Sequence, residues 1–409
     1  MSSTTWYSLG GSEKGLKLET AQDVAPYLTE MEKLGTQLNE IRLGGNTLGV
    51  GACEALGEWL GKRDHIKYAK FDDIFTGRLI TEIPQCMTAL CKGLSVQQDL
   101  VELDFSDNAL GERVIDPICD FISLNYSVQH LKISNNGLGP IGGSRLAKAI
   151  TQCALFRQAF NEKNDSDKAA SLKTIVCARN RLQDGSMKDF AEALRTHGTL
   201  ERIEMYQNGI SKMGIKTLLL QGLAHNLSLK YLDLQDNTFT QIGCRAIASS
   251  LPFWTKLEHL NIADCLLRPS GARAFALALA IPSTTPNLLY LNLQSNELDH
   301  SSIPPLTDAI ISHIHKIKTL DLDGNRVDSE DEVLAPLRDA LEKVGCADAL
   351  VEIEDVEEGW EDEEEILEDL SEEEKEESEE EAEIKEEKKV QEDKEVDKLA
   401  EALGSKHIA

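Results

Sequence analysis

Two polar side chains stand where the pattern around them does not call for them, and both are of types that assist phosphoryl chemistry. Arg78 closes the string Phe75-Thr76-Gly77-Arg78. A guanidinium aimed at a transferring phosphoryl group can be worth about 10³–10⁵ in rate. The same group can instead pair with Asp72 or Asp73 and simply hold its loop. Asn135 directly precedes a second asparagine, Asn136. Its primary amide offers both donors and an acceptor, enough to orient another catalytic group or to form a turn. Other routes to chemistry are missing from the sequence. There is no G-x-x-x-x-G-K-[ST], no G-x-G-x-x-G after a strand, no nucleophile elbow and no H-E-x-x-H. Gly139-Pro140-Ile141-Gly142-Gly143-Ser144 is Gly-rich but lacks the lysine of a phosphate loop. His313 and His315 are two apart on an expected helix, so they face different ways and make a poor metal pair. The residues therefore suggest no metal site, no cofactor of the chain's own and no self-contained active site.

The elements that must position Arg78 and Asn135 are read from a recurring pattern: two apolar residues two apart, then Asn three after the second. It appears as Ile41-x-Leu43-x-x-Asn46, Leu103-x-Phe105-x-x-Asn108, Leu131-x-Ile133-x-x-Asn136 and Ile175-x-Cys177-x-x-Asn180. It continues through Asn208, Asn237, Asn296 and Asn325, with spacings of 28 (108 to 136) and 29 (208 to 237). Ile74 and Cys265 replace the Asn in two further copies. This period and motif predict an α/β fold of the leucine-rich-repeat type. The long, ribonuclease-inhibitor-like repeats should form a right-handed horseshoe with a parallel inner sheet and outer helices. In each copy a short strand, Tyr231 to Gln235 for example, would bury Leu232 and Leu234 and turn Tyr231, Asp233 and Gln235 to solvent. The Asn residues would form a structural ladder, each satisfying backbone groups of adjacent repeats. That makes Asn136 and Asn208 ladder residues. Asn135, Arg179 and Asp236, each one position earlier, would lie at the exposed strand exit. Two intervals are long, 34 from Ile74 to Asn108 and 44 from Asn136 to Asn180. The first contains the Phe75–Arg78 string, which should protrude from the strand-exit edge. The second fits a surface insertion over the polar stretch Asn161 to Asp167.

Charge divides the chain. The formal net charge is −29, of which 28 acidic and 7 basic residues from Val351 onward contribute −21. Residues 1–350 read as the repeat domain with atypical first and last units as caps, 351–395 as a disordered acidic tail, and 396–409 as a short helix. Neither part has the basic footprint that nucleic acid requires. No apolar run approaches a membrane span and no secretory signal is visible, so a cytoplasmic protein is expected. The nine scattered Cys, without a C-x-x-C pair, read as reduced thiols. Nothing suggests more than a monomer.

Several irregular strings are far more specific than the repeat. They are Phe75-Thr76-Gly77-Arg78 followed by Glu82-Ile83-Pro84, then Asn135-Asn136-Gly137-Leu138-Gly139-Pro140, and Cys177-Ala178-Arg179-Asn180-Arg181-Leu182 with Gly185-Ser186-Met187-Lys188. Leu234 to Thr240 and Asp264-Cys265-Leu266-Leu267 extend the set. Together they resemble the Ran GTPase-activating proteins over essentially the whole chain, and the acidic tail ending in Leu399 to Leu403 and Lys406 to Ile408 is similar to the fungal members.

The resemblance implies an activator of GTP hydrolysis by Ran in its GTP form, alone or with a Ran-binding protein, in support of nucleocytoplasmic transport. It would reside in the cytoplasm, shuttle, or sit at the nuclear envelope. GTP and Mg²⁺ would be carried by Ran, which also supplies a catalytic Gln that orients water. The family implies a mechanism without an arginine finger. Asn135 would help Ran's machinery into place, and Arg78, Thr76, Asn135, Arg179 and Asp236 would form the partner-binding edge. Where the family often has a second basic residue after Arg78, this chain has Ile80. Two readings from other classes remain at this point. One is an acidic chaperone of basic proteins that works through its tail. The other is an inhibitor that clamps a ligand on the concave face at Asp104, Lys132, Asp233 and Asn292.

Overall fold

A computed structural model describes residues 5–10, 15–164, 169–282 and 284–354. Residues 1–355 make one compact unit. The acidic tail and the short helix expected at 396–409 lie outside the described residues.

An eleven-stranded parallel sheet runs in chain order through the unit. Its strands are β1 (Thr5–Ser8), β2 (Leu38–Arg42), β3 (Tyr68–Lys70), β4 (Glu102–Asp104), β5 (His130–Lys132) and β6 (Thr174–Val176). They continue as β7 (Arg202–Glu204), β8 (Tyr231–Asp233), β9 (His259–Asn261), β10 (Tyr290–Asn292) and β11 (Thr319–Asp321). Each strand is followed by a helix that packs on the helices of the neighbouring repeats. Paired strands need about 4.8 Å and packed helices about 10 Å, so such a stack must bend with the sheet inside. The pairing is in register, with Leu103 opposite Leu131 and Ile175 opposite Ile203. The central residue of each strand and the apolar residue two later point inward, which puts Leu232 and Leu234, Leu260 and Ile262, and Leu291 and Leu293 into one continuous core.

The asparagine ladder explains why the turn after each strand is uniform. Asn136 donates from Nδ2 to the carbonyls of Phe105 (3.0 Å) and Ile133 (3.2 Å), and its Oδ1 accepts the Asn108 N–H at 3.0 Å. Asn180 repeats this, accepting from the Asn136 N–H at 2.9 Å and donating to Ile133 at 2.9 Å. Cys265 substitutes a thiol that points at the carbonyls of Ala263 (3.3 Å) and Leu234 (3.4 Å). At Ile74 the side chain only fills core volume. The carbonyls a ladder Asn would have reached are served by its neighbours: Asn46 donates to Leu43 O and Asn108 to Phe71 O.

The structure changes several expectations. The strand at Tyr231 ends at Asp233, before Gln235. Asp233 is buried against the inner face, where it accepts from Asn261 Nδ2 and the Gln235 N–H, and desolvation raises its pKa to about 6. The long interval before Asn180 is taken up by a 26-residue helix, Gly139–Asn164, whose last turn contains the start of the polar stretch. Arg157, buried on that helix without a carboxylate partner among the described residues, donates to the carbonyls of Asn125, Ala170 and Val128. Tyr126 stacks on Phe160 at 4.6 Å. The extension is therefore docked on its neighbour and does not hang free. His313 and His315 follow the helix Ile303–Ser312 and are not on it. At the C-terminal end, residues 351–354 continue along the last strand and do not begin the tail: the Val351 N–H donates to Leu320 O and Ile353 is buried. The cap at the other end begins with β1, followed by a helix, Ala21–Leu34, that a Thr20/Asp23 capping box starts.

Candidate functional site

The strand-exit edge is built from one repeated backbone conformation. The residue before each ladder position has a left-handed φ: Asp73 (45°), Asp107 (60°), Asn135 (52°), Arg179 (55°), Gln207 (52°), Asp236 (53°), Asp264 (50°) and Ser295 (53°). Gly45 and Gly324 take the same place at the two ends. Asn, Asp and Gly tolerate this region best, which accounts for part of the residue choice at Asn135. Arg179, Gln207 and Ser295 show that the turn does not require Asn. The column is a finding the sequence contained in the recurrent Asp-Asn, Gly-Asn and Asn-Asn pairs ahead of the helices.

The conformation turns each of these side chains away from the core while the backbone stays anchored. The Asn135 N–H donates to Ala178 O at 2.9 Å and the Arg179 N–H to Tyr206 O at 3.0 Å. Ser134 Oγ, beside Asn135, accepts the Ala178 N–H at 3.1 Å. Asn135, Arg179 and Asp236 are exposed on this edge, with Gln207 between the last two. Asn208, by contrast, is sealed in the ladder, donating to Cys177 O and Met205 O at 2.9 Å. Asn135 Nδ2 donates to Asp107 Oδ1 at 2.7 Å.

The loop carrying Arg78 leaves the same edge after β3, two strands from the loop of Asn135. Phe75 is buried and roots it. The Arg78 N–H bonds to Phe75 O at 3.0 Å, closing a four-residue turn with Gly77 at φ 78° in the third place, where glycine is favoured. Thr76 is exposed, and its hydroxyl and carbonyl bond to Asp73 and Thr47 respectively. The loop then presents Leu79 and Ile80, 67% and 49% exposed.

Arg78 itself does not project as the spacing suggested. Its side chain is only 5% exposed, because the guanidinium folds back along the edge toward the first repeats. Nη1 pairs with Glu19 at 2.5 Å and Nη2 donates to Thr47 O at 3.1 Å. Asp72 and Asp73, the partners considered from sequence, are not the ones used; Glu19 lies 59 residues away and could not be found by proximity in the chain. Arg78 and then Lys17 hold the Glu19 carboxyl below its ordinary range. Arg78 and Asn135 thus share an edge but differ in posture, one tucked in and one presented.

On the inner face, Arg202, Tyr231, His259 and Tyr290 form a continuous stack with separations of 3.7, 3.8 and 4.1 Å. Burial, with the nearby Arg202 charge, lowers the His259 pKa to about 4. Among the described residues no cluster of His, Cys, Asp or Glu could hold a metal ion. None of their helices is long and apolar enough to cross a membrane.

Known proteins are similar to this chain in its repeats and in overall sequence. A family model described as leucine-rich repeat matches residues 125–147, 225–248 and 255–276. The chain is 36% identical over 337 residues to Ran GTPase-activating protein 1 of Saccharomyces cerevisiae, covering 80% of each protein. It is 37% identical to Ran GTPase-activating protein 1 of Xenopus laevis over 48% of this chain, but spans only 33% of that longer protein. The ribonuclease inhibitor of Sus scrofa matches at 24% identity over 54% of the chain. The identity and coverage with the yeast protein, on the repeat fold described above, establish that the chain belongs to the Ran GTPase-activating protein family.

Proposed function

We propose that this protein binds Ran in its GTP form through the strand-exit edge and accelerates GTP hydrolysis by arranging Ran's own catalytic groups. The observation that carries the reading is Asn135: an exposed amide on a backbone pinned by the neighbouring repeat, at a position where the fold accepts other residues. A group that must orient another catalytic residue needs this kind of rigid presentation. Ran would bring GTP and Mg²⁺, and the activator would act as a monomer with no cofactor of its own.

Arg78 is assigned to docking and not to the nucleotide. A finger must reach the transferring phosphoryl group. This guanidinium is held by Glu19 and Thr47, and what it organises is the Thr76–Ile80 loop. The loop, together with Asn135, Arg179 and Asp236, forms the proposed contact edge. Single-turnover hydrolysis of Ran-bound GTP tests the activity. Removing the tail from Val356 onward should leave that activity intact, whereas a chaperone working through acidic charge would lose its function with the tail.

A further inference from the structure

We propose that Asp107 is a positioning residue for Asn135, fixing its amide so that the carbonyl oxygen Oδ1 is offered to a donor on the bound GTPase. The inference rests on the role given above to Asn135.

Asp107 and Asn135 occupy equivalent places in consecutive repeats, each three residues beyond the paired residues Asp104 and Lys132. Both have left-handed φ, 60° and 52°, and both are exposed. The backbone under each is anchored to the next repeat, Asp107 N–H to Ser134 O and Asn135 N–H to Ala178 O, both at 2.9 Å. Their side chains are therefore held one strand spacing apart, and Nδ2 of Asn135 meets Oδ1 of Asp107 at 2.7 Å.

A carboxylate can only accept, so it decides which end of the amide faces it. The two ends of an amide look alike in shape, but beside an ionised Asp only the NH₂ end is favourable. Oδ1 of Asn135 then faces away from the Asp107 carboxylate, and among the described residues no donor is bonded to it. An uncommitted, oriented acceptor fits a partner's N–H, such as a primary amide or a backbone amide. Without Asp107 the Asn135 amide would be free to flip, presenting donor and acceptor in turn.

The test is single-turnover hydrolysis of Ran-bound GTP over a range of activator concentrations, which separates the maximal rate from half-saturation. The variants are Asp107→Gly, which accepts φ 60° without strain, Asp107→Asn, Asn135→Ala and the double variant Asp107→Gly/Asn135→Ala. Losing a charge-assisted hydrogen bond that orders the amide should lower the maximal rate about tenfold in Asp107→Gly, with half-saturation unchanged. Asp107→Asn should recover only part of the rate, since its amide can accept from Asn135 Nδ2 but can also flip and donate to Oδ1. The double variant should be no slower than Asn135→Ala, because one residue acts through the other. Additive losses, an effect confined to half-saturation, or a normal rate in Asp107→Gly would each overturn the inference while leaving Asn135 in place. A normal rate in Asn135→Ala would instead remove the reading of Asn135 itself.

Discussion

The guanidinium of Arg78 rests on the carboxylate of Glu19, joining the loop after β3 to the segment that opens the first helix, 59 residues earlier. A second bond, to Thr47 O at 3.1 Å, fastens the same group to the intervening repeat. The loop that displays Leu79 and Ile80 is thus secured by its own arginine. Arg78→Ala should weaken binding to Ran while leaving the maximal hydrolysis rate close to normal. Concentration-dependent single-turnover assays check this; a large rate loss at saturating activator would restore the arginine to the nucleotide.

Glu19→Ala separates two ways in which Arg78 could assist docking. If the guanidinium works by securing the loop, losing Glu19 should raise the concentration needed for half-saturation, as Arg78→Ala does. If it has to leave Glu19 to reach Ran, the same variant should bind more tightly. The first outcome is expected, and a titration of Ran-GTP binding decides between them.

The ladder should dominate local stability. Asn180→Ala strips the buried Asn136 N–H of its acceptor at 2.9 Å and removes one of the two side-chain amides on the Ile133 carbonyl, which keeps Asn136 Nδ2 at 3.2 Å. Leaving that N–H unsatisfied costs roughly 1–3 kcal/mol, so a loss of about that size is expected. Urea denaturation measures it. The repeat sits directly beneath Asn135, so this variant should also slow hydrolysis, and more so on warming.

Acid stability should reveal an opposed pair on the inner face. Asp233 has its pKa raised from 3.8 to about 6, so it favours the folded state increasingly as pH falls through 6 toward 3.8. His259 has its pKa lowered from 6.5 to about 4, so its contribution is lost as pH falls from 6.5 toward 4. Each effect is on the order of 1–3 kcal/mol, and over the shared window they offset one another. Asp233→Asn should therefore lose stability more steeply than the natural protein between pH 6.5 and 4, and His259→Phe should gain. Urea midpoints at pH 7 and pH 4.5 check both, and parallel pH profiles for the three proteins would contradict the assignment.

Much of this was legible in the residues because repeats make local signals redundant. Asn108, Asn136 and Asn180 announce the ladder by spacing alone, and the ladder places Asn135 at an exposed exit. What the spacing could not supply were contacts set by the third dimension. Glu19 reaches Arg78 across two repeats, and the burial of Asp233 depends on Asn261 and Gln235 crowding a curved inner face. Alternation along a strand gives the side of the sheet but not how closely that side is packed. The extra length before Asn180 was visible, yet its form was not. A helix lengthened by several turns needs Arg157 to satisfy the carbonyls of Asn125 and Val128, and that bonding is apparent only once the elements are stacked.

The most direct test is single-turnover hydrolysis of Ran-bound GTP with the natural protein and with Asn135→Ala, each at saturating concentration. The natural protein should accelerate hydrolysis by several orders of magnitude, on the scale of other GTPase activators at about 10³–10⁵. Asn135→Ala should bind Ran-GTP with nearly unchanged half-saturation and hydrolyse it far more slowly. No acceleration by the natural protein would contradict the activity, and an Asn135→Ala variant impaired only in binding would contradict the mechanism.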